Sequence, residues 1–370
     1  MDDGIMSQVS VDVLPVGFVA SEKSLCNELE VSAEHCNRTG QTLVVSDDRA
    51  LPLALDLVRR MPRLRVRADP GAWRHGDATA DEPLADVDNL FGIAGWYEQN
   101  FPVGGPVGGY TPSKFLRASD RPARQALLEQ TADLPPNIIT RLAIEAAVLE
   151  AARRDDFLDD LSAHQGRKFS FIFADKKDPI AEYQRIEGLR QVLGEHPGSE
   201  VDHVDPLIAA DALASGASWA GVGASSARRM PRRPGDKGGG KNSVGYLPGL
   251  FLEELLELRS PMIYADWYAN SRSPHCATCA RPLDVFDTTS ADKAVIIGHN
   301  LHQTTGHIAG LVANAPEARA AYLREVRLEA HARHMQLNPL GDIVLNRGLH
   351  KFLELDDPQM RSMSRAGAWK

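Results

Sequence analysis

EVDHVDPLIAADALASGASWAGVG, residues 200–223, reads as a strand, a helix and a second strand with little between them. EVDHVD carries two β-branched valines, Val201 and Val204, and Pro206 directly after Asp205 marks a helix start. LIAADALAS is the helix and SWAGVG the returning strand. Two strands joined through a helix run parallel, so this unit points to an α/β fold.

The same alternation continues on both sides. Upstream, QTLVVS (41–46) and RLRVRA (63–68) are strand patterns separated by the helix ALPLALDLVRRM, and a further helix is expected at about 84–99. PVGGPVGGY (102–110), NIITRLAI (137–144) and KFSFIFA (168–174) supply three more strands, the last followed by a helix at about 180–194. Downstream, PMIYA (261–265) counts as the eighth strand, preceded by FLEELLEL as a helix. Eight strands alternating with helices predict a (β/α)8, TIM-like barrel over residues 41–270, after an irregular segment 1–40. A doubly wound open sheet is the alternative. Neither GxGxxG nor a Walker loop follows a strand, and no short solenoid repeat is present.

With 370 residues and 43% apolar content, the chain can bury a large core. Its four cysteines, its acidic opening MDDG and the lack of an eighteen-residue apolar run predict a reducing, cytoplasmic setting without membrane contact. The net charge of −9 opposes a chain coated in basic residues for nucleic acid, but the segment RRMPRRPGDKGGGK reverses this locally. Arg228, Arg229, Arg232, Arg233, Lys237 and Lys241 stand there against a lone Asp236. A glycine-rich basic loop can follow a phosphate backbone closely, and the same composition suits a solvated insertion.

Residues 271–311 read as a metal-binding insertion after the last strand. Cys276-x-x-Cys279 can grip one ion from a single turn, and His299 from a following helix offers a third tetrahedral ligand, as in structural Zn2+ sites. His275, Asp266 and His302 compete for the fourth place, of which His275 is the expected ligand. A redox CxxC is disfavoured because Pro282 follows where a helix should run. Residues 312–370 carry two amphipathic helices, PEARAAYLREVRLEAHARHM and LGDIVLNRGLHKFLEL, suited to packing on the barrel or on a partner, a second copy included.

A barrel places its chemistry at the carboxyl ends of the strands. The polar residues expected there are Asp47, Asp48, Asp69, Ser113, Lys114, Arg141, Glu145, Asp175, Asp202, His203, Asp205, Ser225, Ser226, Arg228 and Asp266. Carboxylates crowded on one rim repel, which raises pKa values or recruits cations and makes them acid/base candidates. Asp175 and Asp205 precede helix starts and read as caps.

These residues resemble the tRNA-guanine transglycosylase superfamily, (β/α)8 barrels with a zinc subdomain that exchange guanine in nucleic acid for a 7-deazaguanine. Cys276-Ala-Thr-Cys279 with His299-Asn300-Leu301 looks like the family's CxCxxC and HN(L) motif, and Arg67-Ala-Asp69-Pro-Gly71-Ala-Trp73 like its TDSGGFQ. The segment from His203 to Gly223 is similar to the helix and strand that carry the nucleophile. The resemblance spans about 40–311 and departs in places: Pro274 replaces the first cysteine, Gly221 stands at the nucleophilic aspartate, and Ala224-Ser225-Ser226 replaces PTR. The base-reading aspartate has no counterpart near Tyr110-Thr-Pro-Ser113. Cleaving a glycosidic bond to a purine calls for two carboxylates, one at the anomeric carbon and one proton donor to the leaving base. The resemblance implies Asp69 as one, with Asp202 and Asp266 among the candidates for the other. It implies base exchange on DNA or tRNA, a purine or 7-deazapurine ligand, and phosphate contacts from the basic loop at 228–241. The alternatives are a non-catalytic, zinc-stabilised barrel that binds nucleic acid or protein, and a barrel hydrolase acting on a small substrate.

Overall fold

The computed structural model describes residues 13–23, 26–86, 92–134, 138–236, 247–276, 278–282, 286–337 and 347–365. Eight strands form one curled, all-parallel sheet: β1 (Val16–Ala20), β2 (Thr42–Ser46), β3 (Arg65–Asp69), β4 (Val107–Gly109), β5 (Thr140–Glu145), β6 (Phe169–Ala174), β7 (Glu200–Val204) and β8 (Trp219–Gly223). Their spatial order is β4-β3-β2-β1-β8-β7-β6-β5. Isolated parallel bridges, Tyr110 to Ile139 and Leu116 to Ile144, link the chain just after β4 to β5 at the opposite edge. The helices are α1 (Glu28–Thr39), α2 (Ala50–Arg60), α3 (Gly92–Asn100), α4 (Arg121–Ala132), α5 (Ala151–Ser162), α6 (Tyr183–Glu195), α7 (Pro206–Ala214) and α8 (Ser226–Arg229). A hairpin of β9 (Leu250–Leu252) and β10 (Glu257–Arg259) follows, then α9 (Pro261–Trp267), α10 (Ser290–Val312), α11 (Arg319–Leu337), α12 (Arg347–Asp356) and α13 (Pro358–Arg365).

Side-chain alternation sorts the layers. Phe169, Phe171 and Phe173 of β6 join the main apolar core with α5 and α6, whereas Ile172 and Ala174 pack with Trp73, Phe115 and Ala143 on the opposite face. Covering both faces is what a parallel sheet requires. The concave face is unusually polar, because Arg67, Arg141, Ser170, Glu200 and Asp202 share it with Val19, Val44, Tyr110 and Trp219.

The α/β architecture and seven of the eight expected strands are present, but the sequence reading misses the first strand of the sheet, and its last expected strand is not a strand. The region expected to be irregular, 1–40, contains β1 and α1. VGFVA is a strand because Gly17 lets its backbone approach β2: a Cβ there would lie 2.2 Å from the Thr42 carbonyl oxygen and 2.5 Å from the Trp219 ring. PMIYA is the helix α9, with Pro261 in its first turn, where a missing N–H does no harm. FLEELLEL is the hairpin, turned by Leu256 at φ 49°. α4, which the strand count passed over, is capped by the Asp120 carboxylate accepting from Ala123 N.

The C-terminal helices are held to the sheet layer by a buried charge network. Asp211 on α7 accepts from Arg190 on α6 and from Arg327 on α11, and both arginines also bond Asp356 on α12. The Arg327 guanidinium lies 3.9 Å from the Phe352 ring centroid. Asp211→Ala leaves two arginines facing one carboxylate in a buried site, and urea melts should show a loss of about 3–5 kcal/mol. A loss below ~1 kcal/mol would mean that water reaches the network.

Three buried histidines give stability a pH dependence. Burial, the largest cause in each, pulls His35, His307 and His334 down to about 4 from the usual 6.5. The unfolded chain takes up protons below pH 6.5 that the folded chain refuses until about pH 4. Stability should therefore be fully present above pH 6.5 and fall steadily as the pH drops to 4, measured as urea midpoints; a flat profile would mean that the folded protein accepts these protons.

Candidate functional site

The concave face owes its chemistry to an irregularity in β7. Glu200 and Val201 pair with Trp219 and Ala220, but Val204 pairs with Val222, so Asp202 and His203 together oppose Gly221. This is a β-bulge, and His203 takes the left-handed conformation that accompanies it, φ 59°. Neighbours on a regular strand point to opposite faces. Here both bond into the concave interior, Asp202 to Arg141 and His203 to Ser46. Gly221 is required by the same crowding, since a Cβ there would sit 2.0 Å from Asp202 Oδ1.

Asp202 Oδ2 accepts from Arg141 Nη1 at 2.8 Å, and both side chains are fully buried. The guanidinium stacks 3.5 Å from the Tyr110 ring centroid and also donates to Ser170. Its Nε and Nη2, and the Trp219 Nε1 nearby on β8, have no hydrogen-bond partner among the described residues. Burial pushes the Asp202 carboxyl up, but Arg141 and His203 outweigh it and hold the group well below the ordinary range.

Asp69 ends β3 in the same interior and is 1% exposed. Its Oδ1 accepts from Gly71 N at 3.0 Å, while Oδ2 accepts from Ser46 Oγ at 2.8 Å and Trp73 Nε1 at 3.4 Å. Gly71, at φ 66°, makes the turn that aims this N–H. Burial again opposes ionisation, and Arg141, Arg74 and His203 again prevail, leaving Asp69 below its ordinary value. Two carboxylates therefore face one cation, Arg141, from strands on different parts of the sheet.

A second cluster forms where α10 passes the CxxC turn. Atoms of Cys276, Cys279 and His302 lie within 4.8 Å of one another and could hold a metal ion. His299 Nδ1 is 3.7 Å from Cys279 Sγ, and His302 Nδ1 is 4.0 Å from Cys276 Sγ. Tetrahedral ligands at zinc-like bond lengths are about 3.6 Å apart, close to both of these distances. His299 Nε2 bonds the Phe251 carbonyl at 2.9 Å, which can only accept, so Nε2 carries the proton and the Nδ1 lone pair faces the sulfurs. The residues present thus suit a thiophilic metal ion. Asn300 explains the rest of the motif: it accepts from Phe251 N and donates to Gly249 O, fastening α10 to β9.

The expected site residues divide as follows. Asp69 and Asp202 come together, whereas Asp266 is exposed on α9 and follows no strand. Cys276 and Cys279 gather with His302, which the expected ligand set did not include, whereas the expected His299 reaches only Cys279 at 3.7 Å beside the group; His275 is exposed in a bridge with Pro282, outside the cluster. Arg229 is buried and donates to the Gly223 and Ala224 carbonyls, Arg233 pairs with Glu145 and Asp236, and Arg228 approaches Glu28. Arg232 is exposed, and Lys237 and Lys241 lie outside the described residues. Asp205 caps α7 through Ile208 N, whereas Asp175 pairs with Arg185 and Asp178 bonds the Ile180 and Ala181 N–H groups. Ser46, Trp73 and Arg74 had no place among the expected site residues; the sequence signal for this group was a polar Asp-His pair inside a strand.

No protein-family model matches the chain, and no curated protein matches its sequence.

Purified protein should carry metal at about one ion per chain, as one tetrahedral ligand set implies. His302→Ala and Cys276→Ser should each remove most of it by elemental analysis, while His275→Ala should keep it. Retention by the His302 variant, or loss in the His275 variant, would reassign the fourth ligand.

Proposed function

We propose that this chain is a transglycosylase-like enzyme that exchanges or inserts a 7-deazaguanine-type base in DNA or tRNA. In this reading the curled sheet is a closed (β/α)8 barrel whose edges meet at the Tyr110 and Leu116 bridges, and the Cys2His2 cluster is a structural Zn2+ site. The single observation that carries the reading concerns Asp202. Its carboxylate fills the space a side chain on Gly221 would occupy, so β7 supplies the carboxylate that the resembled enzymes carry on β8.

The chemistry then divides between two acids. Asp202, held ionised by Arg141, meets the anomeric carbon of the sugar as the base departs. Asp69, held by Ser46 and the Gly71 N–H, exchanges the proton of the departing and arriving bases. Arg228, on the short helix directly after β8, puts positive charge at the carboxyl ends of the strands; it is close enough to affect the Arg74 guanidinium, which bonds Ser46. The exposed Arg232 extends this charge toward a phosphate backbone.

One observation favours a non-catalytic barrel that binds nucleic acid or protein: Asp69, Asp202, His203 and Arg141 are all within 1% of complete burial. Buried ionic groups can specify a fold without doing chemistry. The two readings separate in an assay of labelled guanine exchange on DNA and tRNA. Asp69→Asn, which keeps the size of the side chain and one of its two acceptor oxygens, should lower exchange by about 10²-fold or more while the protein still folds. Asp202→Asn should lose exchange and also some stability, because Arg141 is left buried beside a neutral group. Full exchange by the Asp69 variant would sink the enzymatic reading, and nucleic-acid binding without exchange in the wild type would favour the second.

A further inference from the structure

Two hydrogen-bonded steps and one longer polar contact lead from one carboxylate to the other. Asp69 Oδ2 is 2.8 Å from Ser46 Oγ, Ser46 Oγ is 3.1 Å from His203 Nε2, and His203 Nδ1 is 3.6 Å from Asp202 Oδ1. The direction of the hydrogen bonds follows from counting protons. Ser46 has one hydroxyl proton, and the Asp69 carboxylate can only accept it. Arg74 Nη1, 3.1 Å from the same Oγ, can only donate. His203 must therefore donate from Nε2, which leaves Nδ1 of a neutral ring as a bare lone pair. That atom has no hydrogen-bond partner among the described residues and is turned toward the Asp202 carboxylate.

Ser46 is thus no nucleophile, since its proton is committed and its oxygen accepts from two donors. It is a conduit. We propose that Ser46 and His203 form a proton relay between Asp69 and the Asp202 side of the chamber, with the two tautomers of His203 as its two states. A proton taken up at Nδ1 forms an N–H bond there and breaks the one at Nε2. The Nε2 proton passes to Ser46 Oγ, and the Ser46 proton passes to Asp69 Oδ2. One proton has entered and Asp69 has become the neutral acid. The imidazole remains neutral, and its new Nδ1–H points at Asp202. The reverse passage empties Asp69 again.

The surroundings suit this role. Asp202 on the same strand, Asp69 at the end of β3 and Arg141 on β5 are the charged groups that act on the ring, and Arg74 reaches it through Ser46. Burial lowers the His203 pKa despite the two carboxylates, which favours the neutral ring that a tautomer switch needs. The Trp73 indole meets the imidazole edge-on at 5.5 Å and holds its plane. The left-handed backbone at His203 is strained for a side chain of this size, as is common where geometry serves chemistry.

The relay rests on the reading of Asp69 and Asp202 as a working pair, but its test does not depend on turnover. In full-length protein labelled with 15N-histidine, the two ring nitrogens report the tautomer of His203 by NMR. At neutral pH the wild type should be the neutral Nε2–H form; a neutral Nδ1–H ring or an imidazolium would overturn the proposal. Ser46→Ala removes the acceptor at Nε2, and the ring should move toward Nδ1–H facing Asp202, while Ser46→Thr, which restores the hydroxyl, should return it. An unaltered tautomer in the alanine variant would equally overturn the relay. If base exchange is found, Ser46→Ala should lower kcat about tenfold and leave KM unchanged. A tautomer shift without any exchange activity in the wild type would remove the transglycosylase reading and leave the relay standing.

Discussion

The ion pair between Arg141 and Asp202 is the constraint around which the concave face is arranged. Both partners are fully buried, and removing two charges from water costs several kcal/mol per ion unless the geometry compensates. Compensation comes from the 2.8 Å bond between them, from Ser170, and from the Tyr110 ring beneath the guanidinium. The pair also dictates its neighbours. Position 221 can hold only glycine, β7 must bulge to turn its carboxylate inward, and the same bulge brings His203 to the interior.

Much of this arrangement could be read from residue patterns, and the failures have physical causes. The strand-helix-strand alternation was legible because β6 and β8 are short apolar runs between helices with clear starts. β1 was not, because VGFVA is short and its glycine lowers strand propensity while being indispensable beside Thr42. PMIYA misled because local composition cannot separate a short buried strand from a helix turn, and Pro261 serves equally well before either. Asp69 was marked by its place at a strand end and Asp202 by being a carboxylate within the strand pattern EVDHVD, which the structure places inside β7. Ser46 and His203 become recognisable as a unit only when β2 and β7 come within bonding distance across the sheet.

The group of Cys276, Cys279 and His302, which could hold a metal ion, shows a similar division. The CxxC turn and His299 were visible from spacing, whereas the choice between His275 and His302 depended on which side chain α10 presents one turn after His299. That helix does more than supply imidazoles. Asn300 ties it to the β9 backbone, and His35 on α1 meets Thr305 at 3.1 Å and the His302 ring at 5.3 Å. The cluster is therefore wired both to the hairpin and to the first helix of the sheet layer.

The position of β1 also bears on how the chain acquires its structure during synthesis. Val16 pairs with Ala220, a partner roughly 200 residues away in sequence, and the sheet order β2-β1-β8 leaves no nearer strand for that edge. While the ribosome is still making the middle of the protein, β1 and β2 can pair with each other, but β1 keeps an open row of N–H and C=O groups until β8 emerges. The interior cations wait as well, since Arg67 and Arg141 are translated before their partners Glu200 and Asp202. The sheet consequently cannot be completed on either side of β1 before β8 is available, which makes its closure a contact of long sequence separation.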